Sequence, residues 1–222
     1  MKKALIFDTS SIISLALNNL LDILPKLKKE LKVEFFITPQ VKREAIDVPM
    51  KIKRFELEAL MIEDLVTHGT LTLLDTRELE SETRKVIRMA NSAFSTLGKD
   101  LKLLHNGEAS CFALQKILPN YQTALVIDER TARLIAEKPG NLRRLMEFKL
   151  KKPVKLNKSS LDYFKDTQIM RSTELTLIAY KKNMIHIHAP AVKAVDALLF
   201  ALKFKGCSIS RDEIRDAKNL FS

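Results

Sequence analysis

Tryptophan is missing from the chain and aromatic residues make up only 6% of it, so a core has to be built mainly from Leu, Ile, Val and Ala. Glycine occurs 5 times and proline 7 times, which excludes collagen-like, glycine-rich and proline-rich architectures. The two cysteines, Cys111 and Cys207, form no CxxC pair, so neither a disulfide framework nor a thiolate zinc site is expected and a reducing compartment fits. No apolar run approaches the roughly 18–20 residues of a membrane span. Met1-Lys2-Lys3 opens like a signal sequence, but the apolar stretch Ala4–Phe7 stops at Asp8, short of the roughly 7–15 residues of a signal core. A GxxxxGK loop is also absent, which excludes a P-loop ATPase. The expectation is a soluble cytoplasmic protein with no membrane partner.

What the chain has is enough apolar material for a packed core, with 46% hydrophobic and 29% charged residues. Its 222 residues suit one domain, 1–222, that carries insertions. Lys and Arg number 38 against 27 Asp and Glu, a formal charge of +11. That excess favours a polyanionic partner through counterion release and steering, with ordinary solubilising lysine as the other reading.

Short continuous apolar runs mark strands buried on both faces, the habit of parallel sheets. Three stand out: Ala4–Phe7, Glu34–Ile37 and Thr123–Ile127. Helical patterns lie between and after them, at Ser11–Asn19, Leu20–Leu31, Lys51–Val66, Arg77–Phe94, Glu108–Leu118, Glu129–Glu137, Thr173–Lys182 and Ala191–Lys205. Thr38-Pro39 opens a further helix with proline at its first position, and Ser210-x-x-Glu213 announces the last one as a capping box. Shorter strands are expected at Thr70–Leu74 and near Met184–Ile187. Residues 49–100 and 138–170 read as insertions, the second strongly basic with one or two short helices. The alternation of strands and helices gives an α/β fold around a parallel sheet.

Two of the buried strands end in aspartate, at Asp8 and Asp128. In open parallel sheets ligands bind beyond the carboxyl ends of the strands. Glu44 stands just inside the helix after the second strand, and Glu108 in the first turn after Asn106-Gly107. Taken singly, Asp8 suits a helix cap, Glu108 suits a helix dipole and Glu44 suits a solvated surface. Together, four carboxylates at one sheet edge raise one another's pKa unless a counter-charge is present. A divalent cation supplies it, and an all-oxygen donor set without His or Cys selects Mg²⁺ or Mn²⁺. Such ions act on phosphate groups, so an acidic metal site on a protein of charge +11 points to a metal-dependent nuclease.

The stretches LIFDTSSII (Leu5–Ile13), TPQVKREAI (Thr38–Ile46), NGEASCFAL (Asn106–Leu114) and LVIDERTAR (Leu125–Arg133) resemble, in order and placement, the PIN-domain nucleases that include the VapC toxins. The resemblance implies a three-layer α/β/α sandwich, divalent-metal-dependent hydrolysis of single-stranded RNA, and Asp8, Glu44, Glu108 and Asp128 as metal-binding and catalytic residues. It adds Glu129 as a further acid, Thr9 or Ser10 as orienting groups, and Arg130 and Arg133 as phosphate contacts. A homo-oligomer and an antitoxin or other protein partner are likewise implied. Part of the family starts a late helix with Gly-Thr; here Ser172 stands in the glycine's place before Thr173.

Rival readings remain. An aspartate-nucleophile phosphatase needs a second acid two residues after Asp8, where Ser10 stands. His186 and His188 alternate as metal ligands on a strand would, without an evident third. Arg143 and Arg144 begin a basic run, with Lys149, Lys151, Lys152, Lys155 and Lys158, that suits RNA, a docked protein or solvent. Phe148, Tyr163 and Phe164 suit base stacking or core. The chain-level alternative is a catalytically silent PIN-like module that binds RNA or a protein.

Overall fold

The computed structural model describes residues 2–221. The first half runs β1 (Lys2–Phe7), α1 (Thr9–Ala16), α2 (Ile23–Leu31), β2 (Glu34–Ile37), α3 (Pro39–Lys42), α4 (Glu56–Thr67), β3 (Thr72–Leu73) and α5 (Leu79–Ser92). A hairpin follows, β4 (Phe94–Thr96) and β5 (Lys99–Asp100), then α6 (Asn106–Lys116), β6 (Tyr121–Val126) and α7 (Arg130–Glu137). The remainder is α8 (Pro139–Leu150), β7 (Lys155–Leu156), α9 (Lys158–Asp162), β8 (Ile169–Met170), α10 (Ser172–Lys181), α11 (Ala191–Phe204) and α12 (Arg211–Asn219).

Five strands form one parallel sheet in the order β3-β2-β1-β6-β8, flanked by helices as a three-layer α/β/α sandwich. Its central strand buries Ala4, Ile6 and Phe7, and Phe7 meets Phe35 of β2 edge to face at 5.1 Å. Side chains of both parities are buried in β2, where Phe35, Phe36 and Ile37 all face core, which is why these runs read as uninterrupted apolar stretches. The chain moves outward on one side of β1 through β2 and β3, then returns to its other side with β6. The order therefore reverses between β1 and β6, the place where α/β sheets open a crevice. The strand ends are held level there, because Asp8 N donates to Val126 O at 3.0 Å and Ser11 Oγ donates to the same carbonyl at 2.8 Å.

The expected helices and main strands are present with ends shifted by a few residues, and the capping box at Ser210 and Glu213 forms. Three elements differ. Residues 184–187 form no strand, and the sheet's outer strand is instead the two-residue β8. A second, antiparallel sheet of order β5-β4-β7 appears, turned at Leu97 and Gly98, both at positive φ as a tight hairpin with right-handed twist requires. It joins the two stretches read as insertions, since β4 belongs to 49–100 and β7 to 138–170. Finally, α3 continues as a single π turn over Arg43–Asp47.

Cys111 and Cys207 are free and buried. Among the described residues no helix is long and apolar enough to cross a membrane.

Candidate active site

Beyond the carboxyl ends of β1 and β6 lies an open cleft of about 410 Å³, lined by Asp8, Thr9, Ser10, Glu44, His105, Glu108 and Glu129. Each acid arrives from a different element and is held by local chemistry. Asp8 is the N-cap of α1 and is 2% exposed; its Oδ2 accepts from Ser10 N at 3.1 Å and Ser10 Oγ at 2.6 Å. Glu44 sits in the π turn, a backbone irregularity common at functional sites. Its Oε2 accepts from Thr9 Oγ1 at 2.9 Å and its Oε1 from Gln40 Nε2 at 2.7 Å. Glu108 is in the first turn of α6, where Oε2 accepts from His105 N at 2.8 Å. Glu129 caps α7 and accepts from Ala132 N at 2.7 Å.

The acids feel one another. Burial pushes the Asp8 carboxyl from 3.8 up to about 7 against the pull of Ser10, with the charge of Glu108 adding to the rise. Burial also raises Glu108, and Glu129 pushes it further. Beneath the cleft, the Cys111 thiol donates to Phe7 O at 3.5 Å; burial first, then the charges of Asp8, Glu108 and Glu44, hold its pKa well above the usual thiol value.

The Asp8 shift fixes the sign of a stability effect. Between about 4 and about 7 the folded chain keeps a proton that the unfolded chain has released, so this group's contribution falls as pH rises through that window. In a metal-chelating buffer, the Tm of the wild type should drop more than that of Asp8→Asn between about pH 5 and about pH 8. Scanning calorimetry checks this; parallel slopes for the two proteins would contradict it.

Six of the residues singled out in the sequence thus share the cleft: Asp8, Thr9, Ser10, Glu44, Glu108 and Glu129. Asp128 is not among the lining residues. It is 0% exposed, and its Oδ1 and Oδ2 accept from Ser172 N at 2.8 Å and Ser172 Oγ at 2.6 Å, tying the end of β6 to the start of α10. Ser10 Oγ links the two aspartates by accepting from Asp128 N at 3.1 Å. Arg130 and Arg133 line a separate cavity, and Arg143 and Arg144 are exposed on α8. His186 and His188 are exposed, Phe164 is core and Phe148 is exposed with Lys151 over its ring.

Three further residues shape the cleft without having stood out in the sequence. Gln40 lies one helical turn before Glu44, His105 precedes α6, and Gly107 lies under the Glu44 carboxylate, where an added Cβ would stand 2.5 Å from Oε2. The i, i+4 spacing of Gln40 and Glu44 was the one signal available for any of them.

The model of a family described as a PIN domain matches residues 4–176. The chain belongs to the PIN-domain family. That span includes 49–100 and 138–170 and ends within α10. No curated protein and no solved structure gives a match. PIN domains are generally nucleases that use divalent metal ions, and the cleft's donors suit such ions: four carboxylates line it, with two hydroxyls and one imidazole. Among the described residues no three His, Cys, Asp or Glu side chains are gathered closely enough to form a ready metal site. The hydrogen bonds above account for that spread, since each acid is drawn to a donor on its own element or, for Glu44, to Thr9 of α1.

Proposed function

We propose that the protein is a ribonuclease that hydrolyses phosphodiester bonds of single-stranded RNA with Mg²⁺ or Mn²⁺, using Asp8, Glu44, Glu108 and Glu129 to hold the ion. The observation that carries this reading is the arrival of these four carboxylates, from the end of β1, the π turn, the start of α6 and the end of β6, at one cleft. A bound Mg²⁺ or Mn²⁺ supplies charge neutralisation and Lewis acidity at the scissile phosphate. The chain's own part is to orient and to bind. Ser10 fixes Asp8, and Thr9 and Gln40 fix both oxygens of Glu44. The excess of Lys and Arg draws the polyanion to an acidic cleft that would otherwise repel it.

The test is cleavage of a fluorescent single-stranded RNA by the purified protein with Mg²⁺, with Mn²⁺ and with chelator. Cleavage in both metals and none in chelator is the expected result. RNA binding without cleavage under every condition would overturn the nuclease in favour of a silent binding module.

Gly107→Ala probes how Glu44 is held. The added methyl meets the flexible end of Glu44, so the carboxylate swings away and loses Thr9 and Gln40 while the backbone stays. Cleavage should fall about 10- to 100-fold, with stability changed by about 1 kcal/mol or less. Kinetics paired with a thermal melt reads both, and unchanged cleavage would show that Glu44 needs no fixed position.

A further inference from the structure

A second cavity, of about 390 Å³, lies between α7, the start of α8 and the segment that joins α11 to α12. Arg130, Arg133, Lys138 and Lys203 line it together with Ser208 and Ser210. Two acids also reach it, Glu137 and Glu213, and the latter is committed elsewhere, with Oε1 paired to Arg171 Nη1 at 2.8 Å. Arg133 sets this cavity apart from an ordinary basic surface. It is 8% exposed, and its Nε is buried without a hydrogen-bond partner. Among the described residues no carboxylate forms an ion pair with its guanidinium, and a buried N–H without an acceptor has lost its water for nothing in return, at a cost in free energy. An anion entering the cavity would remove that cost.

We propose that this cavity binds a phosphate monoester, with the Arg133 guanidinium as its inner ligand and Arg130, Lys138 and Lys203 as the surrounding charge. A guanidinium offers a planar fork of donors that matches phosphate oxygens, and the terminal group carries the extra negative charge that four cations favour. A terminal phosphate also enters a recess more readily than a phosphate inside a strand, which is esterified on both sides. Two sources have this chemistry: the phosphorylated end of an RNA strand, or a free phosphorylated small molecule. The first rests on the ribonuclease reading, and the location suits it, because Arg130 directly follows Glu129 of the acidic cleft. Much of the cavity wall, Lys203 and the Ser208–Ser210 stretch, comes from residues beyond 176, outside the span the family shares.

The experiment measures binding by the full chain in chelator, so that the acidic cleft takes no metal. The probes are one short single-stranded RNA carrying a 5′-phosphate, a 3′-phosphate or hydroxyls at both ends, and inorganic phosphate alone. The phosphorylated strand at one end should bind at least about tenfold more tightly than the hydroxyl strand. Arg133→Gln should abolish the difference and Arg133→Lys should keep part of it. Arg130→Gln, at an exposed position where folding is not at stake, should reduce it several-fold. Inorganic phosphate that binds in an Arg133-dependent way without any end preference would assign the cavity to a free small molecule. If neither an end preference nor phosphate binding is seen in the wild type, the proposal is overturned. A protein with the end preference that never cuts RNA would overturn the nuclease and leave the cavity; one that cuts RNA but binds no phosphate monoester would overturn the cavity alone.

Discussion

Asp8→Asn is expected to lower RNA cleavage by at least about a hundredfold, the scale of losing one preorganised electrostatic group, while RNA affinity stays within a few-fold. Asp8 ends the central strand at the point where the strand order reverses, and it is the most buried acid of the cleft. Asparagine keeps the shape and can still accept from Ser10, so α1 remains capped. What is lost is the negative charge that a divalent ion needs. RNA affinity should survive, because the basic excess of the chain, not the acids, is what would attract a polyanion. Cleavage time courses beside fluorescence anisotropy in chelator separate the two quantities. Wild-type cleavage by Asp8→Asn would remove Asp8 from the site.

The second large effect is on stability and comes from the neighbouring acids at the end of β6. Asp128→Ala removes the acceptor for both Ser172 N and Ser172 Oγ and leaves two buried donors unpaired. The cost should be about 2–4 kcal/mol, which for a chain of this size means a Tm drop on the order of 10 °C. Glu129→Gln, at a half-buried position that keeps its cap to Ala132, should melt close to wild type and lose cleavage instead. Melting curves and cleavage rates of the two variants should therefore dissociate. The opposite pattern, a stable but inactive Asp128→Ala and a fully active Glu129→Gln, would return Asp128 to the cleft.

This pair also shows where the sequence stops being legible. Strands β1, β2 and β6 could be read because a strand covered on both faces leaves an unbroken apolar run, and Asp8 is conspicuous as the charge that ends one. Adjacent residues at a strand's end point in different directions, so Asp128-Glu129 alone cannot say which acid faces the cleft. The answer depends on Ser172, far along the chain, whose N–H and hydroxyl both donate to the Asp128 carboxylate. Strands β3 and β8 span two residues each and carry no readable period; only their pairing with β2 and β6 defines them. The β4–β5 hairpin escapes for a similar reason, because Leu97 at positive φ is not a turn residue by composition. Glu44 could be found as an acid after a strand, but not its π turn, nor the contact with Gly107 that leaves no room for a side chain beneath it.

The claim that the four cleft carboxylates hold a divalent ion is tested most directly by calorimetric titration of Mn²⁺ into the wild type and into Glu44→Gln. Glu44 is the acid whose two oxygens are both held by neighbouring side chains, Thr9 and Gln40, so its substitution would remove a proposed ligand at a defined place. The account predicts saturable binding to the wild type and binding at least about tenfold weaker to the variant. Mn²⁺ binding of equal strength to both proteins, or no saturable binding to either, would contradict it.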